Sequence, residues 1–146
     1  MTKIGITGSK GLLGQLLIKK LSKNKEKFSE FKGDISKKIH MKKWLSYNKY
    51  ITHIFHFAAI SHPNYNKKKT YNVNFLGTKN IIDIVKKKKI WLFFASTSHV
   101  YKKKLRKIKE TDEIKPQNYY GKTKAAAEKI LIRNKSKYFK VCILFL

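Results

Sequence analysis

Short apolar runs alternate with longer stretches of helical period along this chain. The runs are rich in Ile, Val and Phe and predict strands at 3–7, 27–35, 52–59, 90–96 and 139–146. Between them, apolar residues recur at spacings of three and four and predict helices at 12–22, 36–47, 71–85 and 119–134. A polar loop is predicted over 102–118. This alternation is typical of parallel α/β units.

Each of the first three predicted helices has one apolar face that we expect to point inward. In the first helix this face contains Leu12, Leu13, Leu16, Leu17 and Leu21. In the second it contains Ile39, Trp44 and Leu45, and in the third Val73, Leu76, Ile81 and Ile84. The last apolar run has the character of a strand buried on both faces, which normally leads into a loop and a helix. We therefore expect a part of the fold beyond residue 146.

The charge of the chain is its most unusual compositional feature. A length of 146 residues with 42% hydrophobic content fits one globular domain. The net charge of +27 favours contact with polyanions, and a polyanion-binding basic protein remains an alternative. However, only Arg106 and Arg133 among the 35 basic residues are Arg, the residue that recognises phosphates and bases bidentately. The lysines are spread along the whole chain, so no specific nucleic-acid binding is expected.

Cysteine content and apolar runs indicate the compartment. The single cysteine, Cys142, excludes an internal disulfide and fits a reducing environment. The first residues are strand-like and do not resemble a secretory leader. The apolar runs at 90–95 and 141–146 are too short to span a bilayer. We expect a cytoplasmic protein with no membrane partner.

Three glycines lie at intervals of three between the first predicted strand and helix. Gly8, Gly11 and Gly14 permit a tight turn, and the helix N-terminus beyond them offers free N–H groups to a pyrophosphate. The alternative is an ordinary glycine-rich turn; a Walker loop fits poorly because no Gly-Lys-Ser/Thr follows. Asp34, about 20 residues beyond Gly14, is spaced as an acid near the adenosine of a dinucleotide. It can equally be a turn or N-cap residue ahead of the helix that begins near Ser36.

Tyr120 stands four positions before Lys124 in a predicted helix, which places both on one helix face. Tyr65 and Lys69 have the same spacing. In a chain so rich in lysine, about two such pairs are expected by chance. The pair therefore gains meaning only from the motifs around it.

Those motifs occur in a characteristic order. The glycine loop is followed by "GDI" at 33–35, "FHFAA" at 55–59, "NVNFLGT" at 72–78, and "FASTSHVY" at 94–101 ahead of "PQNYYGKTKAAAEK". Together they resemble the extended short-chain dehydrogenase/reductase family, the NAD(P)-dependent epimerases, dehydratases and reductases of nucleotide sugars. The resemblance implies a Rossmann-like, doubly wound, mainly parallel sheet, truncated after about the sixth strand. It also implies that 1–146 form the NAD(P)-binding domain and that the C-terminal substrate domain is absent.

The resemblance assigns roles to individual residues. Tyr120 takes the place of the catalytic tyrosine, Lys124 that of its partner, and Thr97 that of the catalytic Ser/Thr; a satisfied hydroxyl at a strand end is the alternative for Thr97. The implied NAD or NADP site consists of Gly8, Ser9, Lys10, Gly11, Leu12 and Gly14 in the loop, Asp34 and Ile35 near the adenine, Phe57, Ala58 and Ala59 flanking the cofactor, Asn74 as a structural hydrogen-bonding residue, and Tyr120 and Lys124.

The chemistry explains why a tyrosine and a lysine would act together. An alcohol loses hydride to nicotinamide only if its hydroxyl proton also leaves to a base. A phenol with a pKa near 10 is a poor base at neutral pH. The Lys124 ammonium and oxidised nicotinamide are expected to lower the pKa of Tyr120 by about three, worth roughly 4 kcal/mol. In reduction, Tyr120 would donate the proton.

Three departures from the family pattern narrow the expectation. The segment before "GDI" is short, so the acid that contacts the adenosine ribose in the family is absent or displaced to Glu30. The sequence therefore does not distinguish NAD from NADP, although Lys32 slightly favours NADP. Because "STSHVY" lacks the Asp-Glu pair of the dehydratases, an epimerase or 4-keto reductase is favoured. The missing half leaves a catalytically inactive dinucleotide-binding fragment as the rival. A homodimer through the Tyr120 helix is possible, although the high charge opposes it.

Overall fold

The computed structural model describes residues 3–62 and 65–146 and shows one sheet of five parallel strands. The strands are β1 (Ile4–Thr7), β2 (Phe28–Phe31), β3 (His53–His56), β4 (Ile90–Ser96) and β5 (Phe139–Phe145). Their order is β2-β1-β3-β4-β5. The expected doubly wound α/β fold is confirmed. The described residues form five strands, one for each predicted apolar run, where the resemblance implied about six.

Within the part of the chain that the structure describes, five α-helices connect or flank these strands. They are α1 (Leu12–Lys23), α2 (Lys38–Tyr47), α3 (Lys67–Tyr71), α4 (Gly77–Val85) and α5 (Tyr119–Asn134), with a π-helical turn at Asn72–Leu76 and a 3-10 turn at Ser98–Val100. The helix predicted from 71 therefore begins earlier, at Lys67, and changes its winding at 72–76. None of the helices within 3–62 and 65–146 is both long and apolar enough to cross a membrane.

The two faces of the sheet are covered unequally. Chain connections between parallel strands are right-handed, so the reversal of direction after β2 places α1 on one face and α2, α4 and α5 on the other. On the second face α4 packs against both α2 and α5. The main core lies between these helices and the sheet and includes Ile54, Ile81, Leu92, Phe94 and Leu131.

Two of the predicted inner faces need correction. Leu12 and Leu16 are 75% and 56% exposed, whereas Leu21 is buried, so the leucine face of α1 is covered mainly at its C-terminal end. Ile39 is also exposed, because it lies in the first turn of α2, and the buried stripe of that helix is formed by Met41 and Leu45. Periodicity identified residues that share a helix face, but it did not predict how much of that face is buried by other elements.

Candidate cofactor-binding and active site

The predicted glycine loop and the predicted catalytic tyrosine line the same cleft. This cleft, of about 260 Å³, lies at the carboxyl ends of β1, β3 and β4, where the direction of strand addition reverses. In doubly wound folds this crevice is the usual ligand site. The predicted residues that line it are Gly8, Gly11, Leu12, Gly14, Phe57, Ala59, Thr97 and Tyr120.

A second cleft, of about 360 Å³, shares Gly8 with the first and extends towards β2. The predicted residues that line it are Gly8, Ser9, Lys10, Asp34, Ile35 and Ala58. Glu30 and Lys32 line it too. The structure therefore brings the loop, the adenosine-side residues and Tyr120 into two continuous clefts. Asn74 and Lys124 line neither cleft, because both are buried behind it.

The three glycines of the loop differ in what requires them. Gly8 has φ +72°, and a Cβ on it would lie 2.5 Å from the Ala58 nitrogen. A Cβ on Gly14 would overlap the Gly8 carbonyl oxygen. Gly11 has φ −76°, and its Cβ would meet only that same oxygen, at 3.4 Å. Packing within the protein thus requires glycine at positions 8 and 14. At Gly11 the protein itself leaves enough room for a larger side chain.

Helix α1 begins beside the first cleft, and no side chain caps its N-terminus. Gly11 is the N-cap residue, and the first turn contains no acidic side chain. The first N–H groups of an α-helix have no partner within the helix and carry a partial positive charge. A backbone cradle of this kind fits the diphosphate of a dinucleotide, so the residues present suit the cofactor that the sequence implies.

Asp34 forms a turn with Ser36 and does not cap α2, whose N-cap residue is Lys37. Its Oδ1 accepts hydrogen bonds from the Ser36 backbone N at 2.9 Å and from Ser36 Oγ at 2.7 Å. These bonds, led by the one from the Ser36 hydroxyl, lower the pKa of the Asp34 carboxyl. Asp34 also lines the second cleft, so this turn leaves it beside the space where the adenosine is expected.

Thr97 and Tyr120 meet at the end of β4. Thr97 caps the 3-10 turn: its Oγ1 accepts from the His99 backbone N at 3.3 Å and lies 3.0 Å from His99 Nδ1. Thr97 and Tyr120 line the same cleft. Thr97 is thus a satisfied hydroxyl at a strand end and a direct neighbour of the tyrosine at once.

Burial raises the pKa of Tyr120, and the nearby Thr97 hydroxyl opposes that rise only in part. The sequence led us to expect that the Lys124 ammonium, aided by oxidised nicotinamide, lowers this pKa; in the chain alone the pKa is raised instead, because desolvation dominates. In the chain alone the phenol therefore stays protonated at neutral pH. The acidified phenol remains a prediction for the cofactor complex.

Lys124 lies in the interior beneath this site. Its side chain is 2% exposed, and Nζ lies 3.7 Å from the centroid of the Phe94 ring. Desolvation lowers the pKa of Lys124 to about 7, against the opposing charge of Glu128 one turn further on α5. Glu128 is buried as well and accepts a hydrogen bond from Ser96. Lys124 therefore belongs to a buried polar cluster and does not touch the cleft in this structure.

Sequence reasoning gave no role to His56, which lies at the centre of a second polar network. Its Nδ1 lies 2.7 Å from Thr7 Oγ1, and its Nε2 lies 2.9 Å from Thr78 Oγ1. Thr78 donates its own hydroxyl proton to the Asn74 carbonyl oxygen at 2.7 Å, so it accepts from Nε2–H. Desolvation lowers the pKa of His56 to about 3, so the ring is neutral. The network thereby ties β1 to α4 through a fixed tautomer.

Asn74 extends the same network to α5. Its Oδ1 accepts from the Ile60 backbone N at 2.8 Å, and its Nδ2 donates to Ile60 O and to Thr123 Oγ1, both at 3.0 Å. These contacts match the structural role that the resemblance implied. They hold the segment after β3 against the helix that carries Tyr120.

The chain is similar in sequence and in fold to several known enzymes. It is 29% identical over 119 residues to UDP-glucuronic acid decarboxylase 6 of Arabidopsis thaliana. The aligned region covers 68% of this chain and 34% of that protein. The UDP-Glc/GlcNAc 4-epimerase of Campylobacter jejuni superposes with a TM-score of 0.88 at 24% identity, covering 99% of this chain and 53% of the epimerase. The dTDP-4-dehydrorhamnose reductase of Bacillus anthracis, solved with NADP, gives 0.86 at 23% identity, with 99% and 53% coverage.

The chain thus spans about a third of the curated relative and about half of each of these two structures. Its fold agrees with theirs over nearly its whole length. The model of the NAD dependent epimerase/dehydratase family matches residues 4–146. The chain therefore belongs to the NAD dependent epimerase/dehydratase family.

Proposed function

We propose that this chain is the NAD(P)-binding part of a nucleotide-sugar epimerase or 4-keto reductase, with Tyr120 as its acid/base group. The observation that carries the proposal is the single cleft lined by the glycine loop, Thr97 and Tyr120. When bound there, the nicotinamide would accept or supply the hydride. The side chains of the protein would then handle only the proton.

Each group in the cleft has a distinct task under this proposal. The N–H groups at the start of α1 hold the diphosphate, and the cleft beside β2 holds the adenosine. Thr97 orients the oxygen of the substrate, and Tyr120 gives a proton to that oxygen or removes one from it. Because burial raises the pKa of Tyr120, its resting form is the acid, which is the form that reduction requires.

The role of Lys124 is the least direct part of the proposal. The resemblance implies a bond from its ammonium to the nicotinamide ribose. In the structure Nζ is held over Phe94, so this bond needs the side chain to turn towards the cleft. A pKa of about 7 means that Lys124 is only partly protonated at neutral pH, and an anionic ligand nearby would favour the charged form.

The substrate class is inferred from relatives and from one local difference. The names of the two compared structures contain a UDP-sugar and a dTDP-sugar. After Thr97 this chain has Ser98 and His99 in place of the acidic pair of the dehydratases, which favours epimerisation or keto reduction. Glu30 and Lys32 both line the second cleft, beside β2. An acid there suits the ribose hydroxyl of NAD and a cation suits the ribose phosphate of NADP, so both cofactors are candidates.

A second candidate is a dinucleotide-binding module without turnover. The chain covers 53% of the Campylobacter epimerase, so a large part of that enzyme has no counterpart in it. Such a module would bind the cofactor through the same glycine loop. The two candidates therefore differ in turnover and agree in cofactor binding.

Binding of reduced and oxidised NAD and NADP, measured by fluorescence titration, tests the proposal. Gly11→Ala should keep the fold, because its Cβ meets only the Gly8 oxygen at 3.4 Å, yet should weaken cofactor binding about tenfold or more by intruding on the diphosphate. Ser22→Ala at the opposite end of α1 is the matched control and should bind like the unchanged chain. Equal affinity in Gly11→Ala, or no binding by the unchanged chain, would overturn the proposal.

Turnover separates the two candidates. The chain is incubated with NAD(P) and a panel of nucleotide sugars, and nicotinamide absorbance and sugar products are followed. Conversion that Tyr120→Phe abolishes supports the enzyme, because that variant keeps the ring and removes the hydroxyl. Cofactor binding without any conversion supports the module.

A further inference from the structure

A cavity of about 460 Å³ lies beside the candidate active site, at the carboxyl ends of β4 and β5 and against the loop at 102–118. We call it the loop cavity. Leu146 lines both the loop cavity and the cleft of Tyr120. Ser98 lines the loop cavity, and its neighbour in the chain, Thr97, lines the cleft. The two spaces therefore adjoin, and the volume of the loop cavity is in the usual range for small-molecule sites.

Two aromatic rings line the loop cavity. Tyr101 and Phe145 have ring centroids 5.2 Å apart. Tyr101 is held in place, because its side chain is 4% exposed and its backbone pairs with Ile114 in an isolated antiparallel bridge. Phe145, the last residue of β5, is half-buried. A fixed aromatic surface of this kind suits a planar base, because a base gains from stacking on such rings.

The loop supplies cations to the same cavity. Arg106, Lys107 and Lys109 line it, and Glu110 is the acid among its lining residues. The guanidinium of Arg106 is already engaged, since Nη2 donates to Asp112 at 2.7 Å and Nη1 donates to the Lys107 carbonyl at 2.8 Å. The ion pairs of the described residues include neither Lys107 nor Lys109. These two ammonium groups are therefore available to a phosphate.

The backbone that carries the two lysines has a defined position. Asp112 accepts a hydrogen bond from the Lys109 backbone N at 2.9 Å, and the Lys107 carbonyl is held by Arg106. The chain is thus anchored at both lysines before any ligand arrives. Binding there costs only the ordering of side chains, which favours affinity.

We propose that the loop cavity binds the nucleoside diphosphate part of the substrate, with Lys107 and Lys109 on the phosphates and the two rings beside the base. The inference rests on the proposed function, in which the sugar reacts at Tyr120 in the adjoining cleft. A nucleoside diphosphate combines a planar base, anionic phosphates and ribose hydroxyls. The rings, the ammonium groups and the Glu110 carboxylate are complementary to these three parts in turn. The chain thus retains a substrate subsite of its own.

The experiment must separate this site from general attraction of phosphates to a chain of +27. Binding of UDP and of inorganic pyrophosphate to the full chain, without dinucleotide, is measured by isothermal titration calorimetry. The salt concentration is about 0.15 M, at which exposed charges are screened beyond about 8 Å. UDP should bind about tenfold or more tightly than pyrophosphate, because only UDP has a base to stack on the rings. Phe145→Leu, which keeps an apolar side chain, should remove this preference and leave the affinity for pyrophosphate unchanged.

Charge reversal at Lys107 tests the phosphate contact. Lys107→Glu should weaken UDP binding about tenfold or more, because it replaces a phosphate donor by an anion. Lys103→Glu is the matched control, since it makes the same change of charge in the same loop at a residue that lines a different cavity. It should bind UDP like the unchanged chain. Both side chains are exposed, so thermal melting of both variants should match that of the unchanged chain.

Gly11→Ala distinguishes the loop cavity from the cofactor cleft, which also accepts a nucleoside diphosphate under the proposed function. UDP affinity should be the same in Gly11→Ala as in the unchanged chain. UDP binding that Gly11→Ala weakens and Lys107→Glu does not would overturn the inference. Absence of UDP binding, or equal affinity for UDP and pyrophosphate, would overturn it as well. Failure of the proposed function appears instead as absence of NAD(P) binding, which Lys107→Glu should leave unchanged.

Discussion

At the scale of residues, two tyrosine–lysine pairs with the same spacing have different environments. Lys69 lies on the surface and donates a hydrogen bond from Nζ to the Tyr65 hydroxyl at 3.1 Å. Lys124 is buried, and its Nζ lies over Phe94. In the Tyr65–Lys69 pair the amine bonds the phenol at the surface of the protein. In the Tyr120–Lys124 pair the amine is buried, and desolvation determines its pKa. Spacing alone therefore indicates a shared helix face and says nothing about the ionisation of the lysine.

Burial of Lys124 should make stability depend on pH. The pKa of Lys124 is about 7 in the folded chain and has an ordinary value of 10.5 when unfolded. Between these values the unfolded state binds the extra proton, so the free energy of unfolding rises with pH across this window. At 1.36 kcal/mol per pH unit, the full rise is at most about 5 kcal/mol. Below about pH 7 the cost of the buried charge is fully present.

Lys124→Met, which keeps a long apolar side chain, should remove this rise. Denaturant unfolding at several pH values from 7 to 10.5 measures it, since that window is bounded by the two pKa values of Lys124. Lys69→Met is the control, because it deletes one exposed lysine and reports the general effect of charge. A slope that is the same in both variants would contradict the predicted role of burial.

At the scale of elements, the loop at 102–118 is organised by one carboxylate. Asp112 accepts hydrogen bonds from Lys104 Nζ at 2.8 Å, from Arg106 Nη2 at 2.7 Å and from the Lys109 backbone N at 2.9 Å. These donors, with Lys104 first, hold the pKa of Asp112 well below its usual range. Although this stretch is polar, it has a defined shape because its cations converge on a single anion.

Asp112→Asn should loosen this loop while leaving the sheet intact. The amide keeps the shape of the carboxylate but loses its charge and one acceptor oxygen, so the bonds to the cations weaken. Limited digestion with trypsin, mapped by mass spectrometry, should show cleavage after Lys104 and Arg106 several-fold faster. Glu113→Gln is the control, because its contact to Lys102 is exposed and 3.4 Å long. Equal cleavage in both variants would show that Asp112 does not hold the loop.

The sequence predicted most elements and missed features that depend on distant contacts. Apolar runs located all five strands, but the run at 27–35 yields a strand of only four residues, because Asp34 and Ser36 form a turn directly after it. The π-helical turn at 72–76 coincides with the bonds from Asn74 to Ile60 and Thr123, which join segments far apart in sequence. Local pattern carries no information about such bonds.

The same distinction applies to the candidate site. The glycine loop was predictable because a strand, a turn and a helix follow one another within a few residues. The depth of Lys124 was not predictable, since a Lys and a Glu at i and i+4 in a helix usually form an exposed pair. The contact between the His99 and Tyr120 rings was not predictable either, because it depends on how the end of β4 meets the start of α5.

At the scale of the whole molecule, the sheet has one face covered by α2, α4 and α5 and one with little cover over β3 to β5. On that open face Phe55 and Phe93 stack with centroids 4.6 Å apart, and Trp91 stacks beside Phe93. Trp91 is 41% exposed, and Lys140 Nζ lies 4.7 Å from its ring centroid. An aromatic surface on a chain of +27 combines attraction between copies with strong repulsion.

This combination predicts that association of the chain increases with salt. Salt screens the repulsion between copies over about 10 Å at 0.1 M and leaves the apolar attraction in place. Trp91→Glu should reduce the salt-dependent rise in light scattering and cost only about 1–2 kcal/mol of stability, because Trp91 is partly in water. Leu92→Glu, one position along the same strand, should unfold the chain, because Leu92 is 0% exposed on the helix-covered face. Scattering and thermal melting, recorded for both variants from low to high salt, give the two measurements. If Trp91→Glu unfolds as Leu92→Glu does, or scatters as the unchanged chain does, the open face is not the source of association, and the expected dimer through α5 becomes the surface to test next.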